Sequence, residues 1–301
     1  MKILTKLTPV AATLLLALGA TSAQAQDKLS VTGFIDTSYA ITSTDNSTDS
    51  VYGIDQVEVQ FGYKVDDKLT ATVEVEYQEN GVDLEQAILS YAVSDELSIK
   101  AGRFLSYSGF ETEEPTGLFQ YSGTGYAPLF YGYYQQGVSA LYSGEGYQVA
   151  VSVVNDLAGP TSTDASKPGV ETMVALMPTD EITVKGFYSF EDDKDFINLW
   201  GAYSKDALTV GAEFNSSSDD ATDTESTGYL LMANYAVNDK VGVTVRYHAY
   251  ETETGSATTT DNSGITLSPS YTLSDNVLLV AEYCVLGISR SLIPASRSPQ
   301  F

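Results

Sequence analysis

The chain has 301 residues but only one cysteine, one histidine and one tryptophan. A lone cysteine excludes an intrachain disulfide, and a lone histidine excludes a histidine-rich metal centre. Basic residues are scarce: 15 Lys and Arg stand against 40 Asp and Glu, a formal net charge of −25. That balance excludes nucleic acid as a partner, because a phosphate backbone needs a basic footprint. No apolar run beyond the N-terminus reaches the ~20 residues of a spanning helix. Closed barrels escape that test, since their strands alternate instead of running apolar. Tyrosine (21) and glycine (24) are plentiful, an unusual mix for a soluble enzyme.

The N-terminus has the three parts of an export signal. Lys2 and Lys6 form a short positive region, Val10 to Leu18 an apolar core, and Ala23-Gln24-Ala25 a small-x-small cleavage site. The reading divides the chain into a signal peptide (1–25), a β-domain (26–283) and an anomalous tail (284–301).

The β-domain repeats a hairpin. From Leu69 to Tyr77, odd positions are apolar and even positions are polar or charged, so one strand face is greasy and the other wet. Gln56–Tyr63, Leu208–Asn215 and Val241–His248 repeat the pattern, and Ile197, Leu199, Gly201 and Tyr203 form another largely apolar row. Seven short turns of related formula separate such strands, including Val65-Asp66-Asp67-Lys68-Leu69, Val93-Ser94-Asp95-Glu96-Leu97 and Val237-Asn238-Asp239-Lys240-Val241. Asp, Asn and Ser bond to their own backbone and tolerate tight turns. Tyr63, Tyr91, Tyr147, Tyr203, Tyr235 and Tyr271 sit near these turns, where an interfacial girdle would lie.

At the opposite ends the strands join through polar segments: 42–50, 78–82, 105–133, 155–168, 191–195, 215–227 and 251–263. Short turns at one end and longer loops at the other are the asymmetry of a transmembrane antiparallel up-and-down β-barrel. Seven hairpins give fourteen strands and Leu29–Tyr39 adds one. Single-chain bacterial barrels have even strand numbers, so about 16 are expected, the last descending after Tyr283. Residues 284–301 fit that strand poorly. They contain no acid, the only Cys and two of the nine Pro, and their alternation stops. A truncated or out-of-frame end is expected there.

Signal peptide, alternating strands, Asp-centred turns and terminal Phe301 resemble bacterial outer-membrane porins. Ala101–Pro115, with its Gly102-Arg103-Phe104 strand end and Gly109-Phe110-Glu111 element, looks like the OmpL-like β-barrel porin family, as does Gln136-Gly137-Val138-Ser139-Ala140. The resemblance implies a passive diffusion channel for small hydrophilic solutes and ions in the bacterial outer membrane, with lipid around it and homotrimeric assembly. It also implies that the longest loop, 105–133, folds inward and narrows the bore.

On that basis Glu111, Glu113 and Glu114 of the loop face Lys100 and Arg103 of the wall and set a transverse field across the constriction. Glu58, Glu74, Glu76, Glu171, Glu213 and Glu282 line the lumen against Lys185 and Arg246, because strand charges avoid lipid. Acid predominates, so weak cation preference is expected. A non-channel barrel acting as a surface structural protein or adhesin shares the strand pattern, and ion conductance separates the two. No residue pattern certifies an enzyme or a cofactor site. His248 is expected to be solvated or hydrogen-bonded, and the Asp-rich segments 191–195 and 216–220 lack the spacing of a calcium loop.

Overall fold

The computed structural model describes residues 6–17 as backbone, and 28–43, 47–78, 81–111 and 113–287. The cleavage site Ala23-Gln24-Ala25, Lys2 and tail residues 288–301 lie outside the described residues.

The wet-and-greasy alternation becomes a meander in which every strand pairs with its sequence neighbours. The first half comprises β2 (Leu29–Ser43), β3 (Thr48–Lys64), β4 (Leu69–Gln78), β5 (Gly81–Ala92), β6 (Leu97–Leu105), β7 (Tyr134–Gly144) and β8 (Tyr147–Val154). The second comprises β9 (Gly169–Thr179), β10 (Ile182–Glu191), β11 (Lys194–Lys205), β12 (Leu208–Asp219), β13 (Thr224–Ala236), β14 (Val241–Thr254), β15 (Ala257–Ser274) and β16 (Val277–Leu286). These fifteen antiparallel strands are closed by β1 (Lys6–Ala17), which pairs with both β16 and β2. Closure leaves no open edge, the condition for a sheet in lipid.

The seven short turns fall where the sequence places them. In three of them the first polar side chain is the fastener: Asp66 accepts from the backbone N–H groups of Lys68 and Leu69 at 2.8 and 2.9 Å. Asn238 accepts from Lys240 and Val241 at 2.9 and 3.0 Å, and Ser94 from Glu96 and Leu97. All six turn-side tyrosines are exposed on the outer surface. Above them the outer face is aliphatic, as Leu89, Val149, Val174, Leu199, Leu231 and Leu267 show.

Three expectations need correction. Segments 191–195, 215–227 and 251–263 are mostly paired strand rather than irregular loop: β10 and β11 meet at Glu191–Lys194, β12 and β13 at Asp219–Thr224, and β14 and β15 at Thr254–Ala257. Ser and Thr pair across such strands, as Ser226 does with Thr252 at 2.9 Å. Positive φ at Asp192, Asp223 and Gly255 then turns the chain tightly. The second correction concerns the tail, because Cys284, Val285 and Leu286 belong to β16. The third concerns the closing strand, which comes from the opposite terminus. Lys6–Ala17 overlaps the apolar core of the expected export signal, and Lys6 pairs with Leu286 at the loop end of the barrel.

Candidate functional site

The lumen is organised by the segment between β6 and β7, residues 106–133. It contains a 3-10 turn (Pro115–Gly117) and a short helix, α1 (Ala127–Phe130). The loop lies inside the barrel, so the expected inward fold is the one found. Wall residues of seven strands hold it.

From β9, Glu171 accepts from the Tyr107 N–H at 3.1 Å and from the Ser106 hydroxyl. From β11, Asn198 accepts from the Gly109 N–H at 3.1 Å. Glu213 of β12 accepts from the Phe110 N–H at 2.8 Å, the Tyr126 hydroxyl at 2.7 Å, Asn198 at 2.6 Å and the Tyr131 hydroxyl. Further round, Thr244 of β14 donates to the Phe119 carbonyl at 2.7 Å. Glu282 of β16 accepts from the N–H groups of Tyr121 and Ser122, each at 3.0 Å. The loop then reaches β3, where Gln56 donates to Glu114 at 3.2 Å, and β7, where Tyr134 donates to it at 3.0 Å.

The central fastener is an ion pair between Arg246 of β14 and Glu111, whose side chains are 1% and 8% exposed. Arg246 also donates to the Ser122 carbonyl at 2.5 Å and to Thr266 at 3.1 Å. Glu111 accepts in addition from the Thr124 N–H at 2.8 Å and from Gln120 at 2.8 Å. A buried charge is tolerated only when paired and hydrogen-bonded, and both conditions hold at Glu111.

Apolar contacts seat the same loop. Tyr126 and Phe130 pack on Leu230 and Met232, lumen-facing positions of β13. Two wall glycines make room: the Phe110 ring lies over Gly211 and the Phe130 ring over Gly228, each where a Cβ would collide. Phe110 meets Trp200 edge-on, with ring centroids 5.6 Å apart. His248 is fully buried beside Tyr126, and neither ring nitrogen has a hydrogen-bond partner among the described residues. It is neither solvated nor hydrogen-bonded as expected, because the loop covers it.

The expected lumen residues therefore fall into groups. Glu171, Glu213, Glu282 and Arg246 point inward, but they fasten the loop instead of lining open water. Lys100 points inward under aromatic cover, its ammonium 4.2 Å from the Phe104 ring and 4.0 Å from the Tyr107 ring. Lys185 lies 5.1 Å from the Trp200 ring. Arg103 does not face the lumen. It pairs in register with the outward Ala87 and donates to the Leu84 carbonyl of β5, so it takes no part in the expected transverse field. That carbonyl sits beside a bulge, where Glu74 pairs with Gln86 but Val75 with Leu84.

The bulge also supplies a lumen residue that the alternation misses. Glu85 is the extra residue of β5 and is buried with Glu58 of β3 and Glu74 of β4. Glu113 and Glu114 of the loop, and Glu76 of β4, lie near them; burial first, then neighbouring acids, holds the Glu113 carboxyl above its ordinary range. Burial likewise raises Glu114.

A loop folded inward and fastened inside a sixteen-strand barrel is the architecture of a porin-type outer-membrane protein. Residues 32–296 match the family described as Putative beta-barrel porin-2, OmpL-like, and the chain belongs to that family of non-enzymatic outer-membrane channels. Among solved structures it is similar to the trimer form of OmpT of Vibrio cholerae, at 13% identity and TM-score 0.62, covering 93% of this chain and 88% of that one. The anion-selective porin of Comamonas acidovorans is similar at 12% identity and TM-score 0.58, covering 94% and 98%. So is the outer-membrane channel DcaP of Acinetobacter baumannii, at 10% identity and TM-score 0.59, covering 93% and 96%. No curated protein matches the sequence.

Proposed function

We propose that the chain is a passive diffusion channel for small hydrophilic solutes and ions, with weak cation preference. The observation that carries this reading is the uneven supply of charge inside the bore. Arg246 is neutralised by Glu111, and Lys100 and Lys185 lie under aromatic rings. Acids remain on β3 to β5 and on the loop, at Glu58, Glu74, Glu76, Glu85, Glu113 and Glu114. An acidic lining favours cations, and salt screens part of the effect, with a Debye length of ~8 Å at physiological ionic strength. A related fold carries the opposite preference in the anion-selective porin of Comamonas acidovorans, so selectivity belongs to side chains and not to the barrel.

Reversal potentials in planar bilayers under a KCl gradient test the reading. A small cation preference is expected, and a clear anion preference overturns it. The preference should weaken as pH falls from neutral. Glu113 and Glu114, held above the usual carboxylate range, take up protons sooner than exposed acids and lose their negative charge.

The same reading has the chain exported with residues 1–25 removed, and assembled as a homotrimer by likeness to the OmpT trimer. Removal of β1 opens the seam between β16 and β2. The chain leaving β16 at Leu286 stands at the outer end of that seam, from which a descending strand would be antiparallel to both neighbours. N-terminal sequencing of protein extracted from outer membranes should begin at Gln26. Retention of Lys6–Ala17 in the membrane form would instead make β1 the working closure.

A further inference from the structure

We propose that Glu58, Glu74 and Glu85 of the wall, with Glu114 of the loop, form a calcium-class cation site that ties the loop to the β3–β5 side of the bore. One carboxylate oxygen from each of the four lies within 4.8 Å of the others. The three wall glutamates are more than nine-tenths buried. A second observation points to an occupant: Oε2 of Glu58 and Oε2 of Glu85 are both buried with no hydrogen-bond partner among the described residues.

The donors at this cluster are neutral. Gln86 donates to Glu74 at 2.6 Å, as Gln60 also does, while Gln56 and Tyr134 donate to Glu114. Among the described residues, no Lys or Arg forms an ion pair with Glu58, Glu74 or Glu85. Carboxylates packed this closely cannot all ionise without a positive partner. A proton shared between two of them would relieve one contact but would leave an orphaned oxygen elsewhere. A cation taking one oxygen from each carboxylate engages all four residues.

The donor set selects the cation class. It is all oxygen, with neither imidazole nor thiolate, which suits a hard ion over zinc or copper. Calcium takes 6–8 oxygens in flexible geometry, whereas magnesium demands a near-ideal octahedron and keeps its waters. Ligands from three strands and a loop, with solvent completing the shell, fit the more permissive ion. The site lies on β3 to β5, several strands round the wall from Arg246 on β14, so the loop would be held at two separate places. The site uses four of the six acids that the proposed selectivity invokes, and a bound divalent ion would offset part of their charge. Ion binding and conductance are nevertheless read by separate measurements, so either can fail without the other.

The test uses the full-length barrel refolded in detergent, with terbium as the calcium-sized probe and Tyr134 as the neighbouring sensitiser. The expected result is one sensitised terbium per chain, displaced by calcium more readily than by magnesium. In the Glu58→Gln/Glu85→Gln double variant that signal should be lost. A Glu225→Gln/Glu253→Gln variant at the outer rim should keep it. Heat-modifiable gel migration confirms that each variant has folded. Should the double variant fail to fold, the parent protein decides the matter: chelation should lower its thermal midpoint, and calcium should restore it. No displaceable terbium on the folded parent overturns the proposal, as does a signal that survives in the folded double variant. Infrared bands of protonated carboxyls at neutral pH that calcium does not alter also overturn it, in favour of a proton-sharing cluster.

Discussion

Arg246→Ala should free the loop and enlarge the single-channel current. The guanidinium touches Glu111, the Ser122 carbonyl and Thr266 and is almost wholly buried, so its loss strands the Glu111 carboxylate inside the barrel. Breaking a buried pair by removing one partner costs about 3–5 kcal/mol. The strand ladders do not depend on this pair, so the cost falls on loop docking and not on barrel closure. Glu213, Glu282 and Glu171 still hold other parts of the loop, so greater current noise should accompany the larger mean. Removing Glu111 as well should recover part of the loss, because the stranded charge goes with it. Recordings in planar bilayers read both effects. An Arg246→Ala current indistinguishable from the parent's would show that the ion pair does not hold the constriction.

The next largest effect is expected on the outer surface. Leu231 of β13 is 57% exposed and sits between Tyr229 and Tyr235 on the lipid-facing side. An arginine near the bilayer midplane costs about 2–4 kcal/mol, so Leu231→Arg should lower the folded fraction in lipid vesicles. Asn234 faces the lumen, where it donates to Thr244 at 2.8 Å. Asn234→Arg should leave folding close to the parent's and shift selectivity toward anions. Urea titration in vesicles separates the two, and equal tolerance at both positions would contradict the assignment of faces.

The barrel was legible because a period of two and a repeated turn are local signals. Val57, Val59 and Phe61 against Glu58 and Gln60 state which side meets lipid without reference to any other strand. Asp66 and Asn238 announce their turns because the bonds that make them span two or three residues. Inward placement of Glu58, Glu74, Glu171, Glu213 and Arg246 followed from the same parity.

Their work was not legible. Arg246 meets Glu111 across 135 positions, and Glu282 meets Tyr121 across 161, so no local pattern links them. Glu85 escapes the alternation because the bulge in β5 breaks the period and re-aims the side chain. Arg103 is a different case: β6 keeps its register, and the parity of Leu97, Ile99 and Ala101 carries Arg103 to the outer face, where no bend at the rim turns it inward. The outer connections look like loops in the sequence because Ser, Thr and Asp resemble solvated loop composition. Paired strands that rise above the lipid have no apolar face to betray them. Gly211 and Gly228 were the available clue to the loop, since glycines at lumen-facing positions of neighbouring strands make room for something inside.

The central claim is that a loop fastened to the wall leaves a water-filled path through this barrel. Single-channel recording on the purified protein tests it most directly. The account predicts discrete, ohmic current steps, cation-preferring under a salt gradient and larger in Arg246→Ala. A folded, membrane-inserted barrel that gives no steps, in the parent and in Arg246→Ala alike, would contradict it.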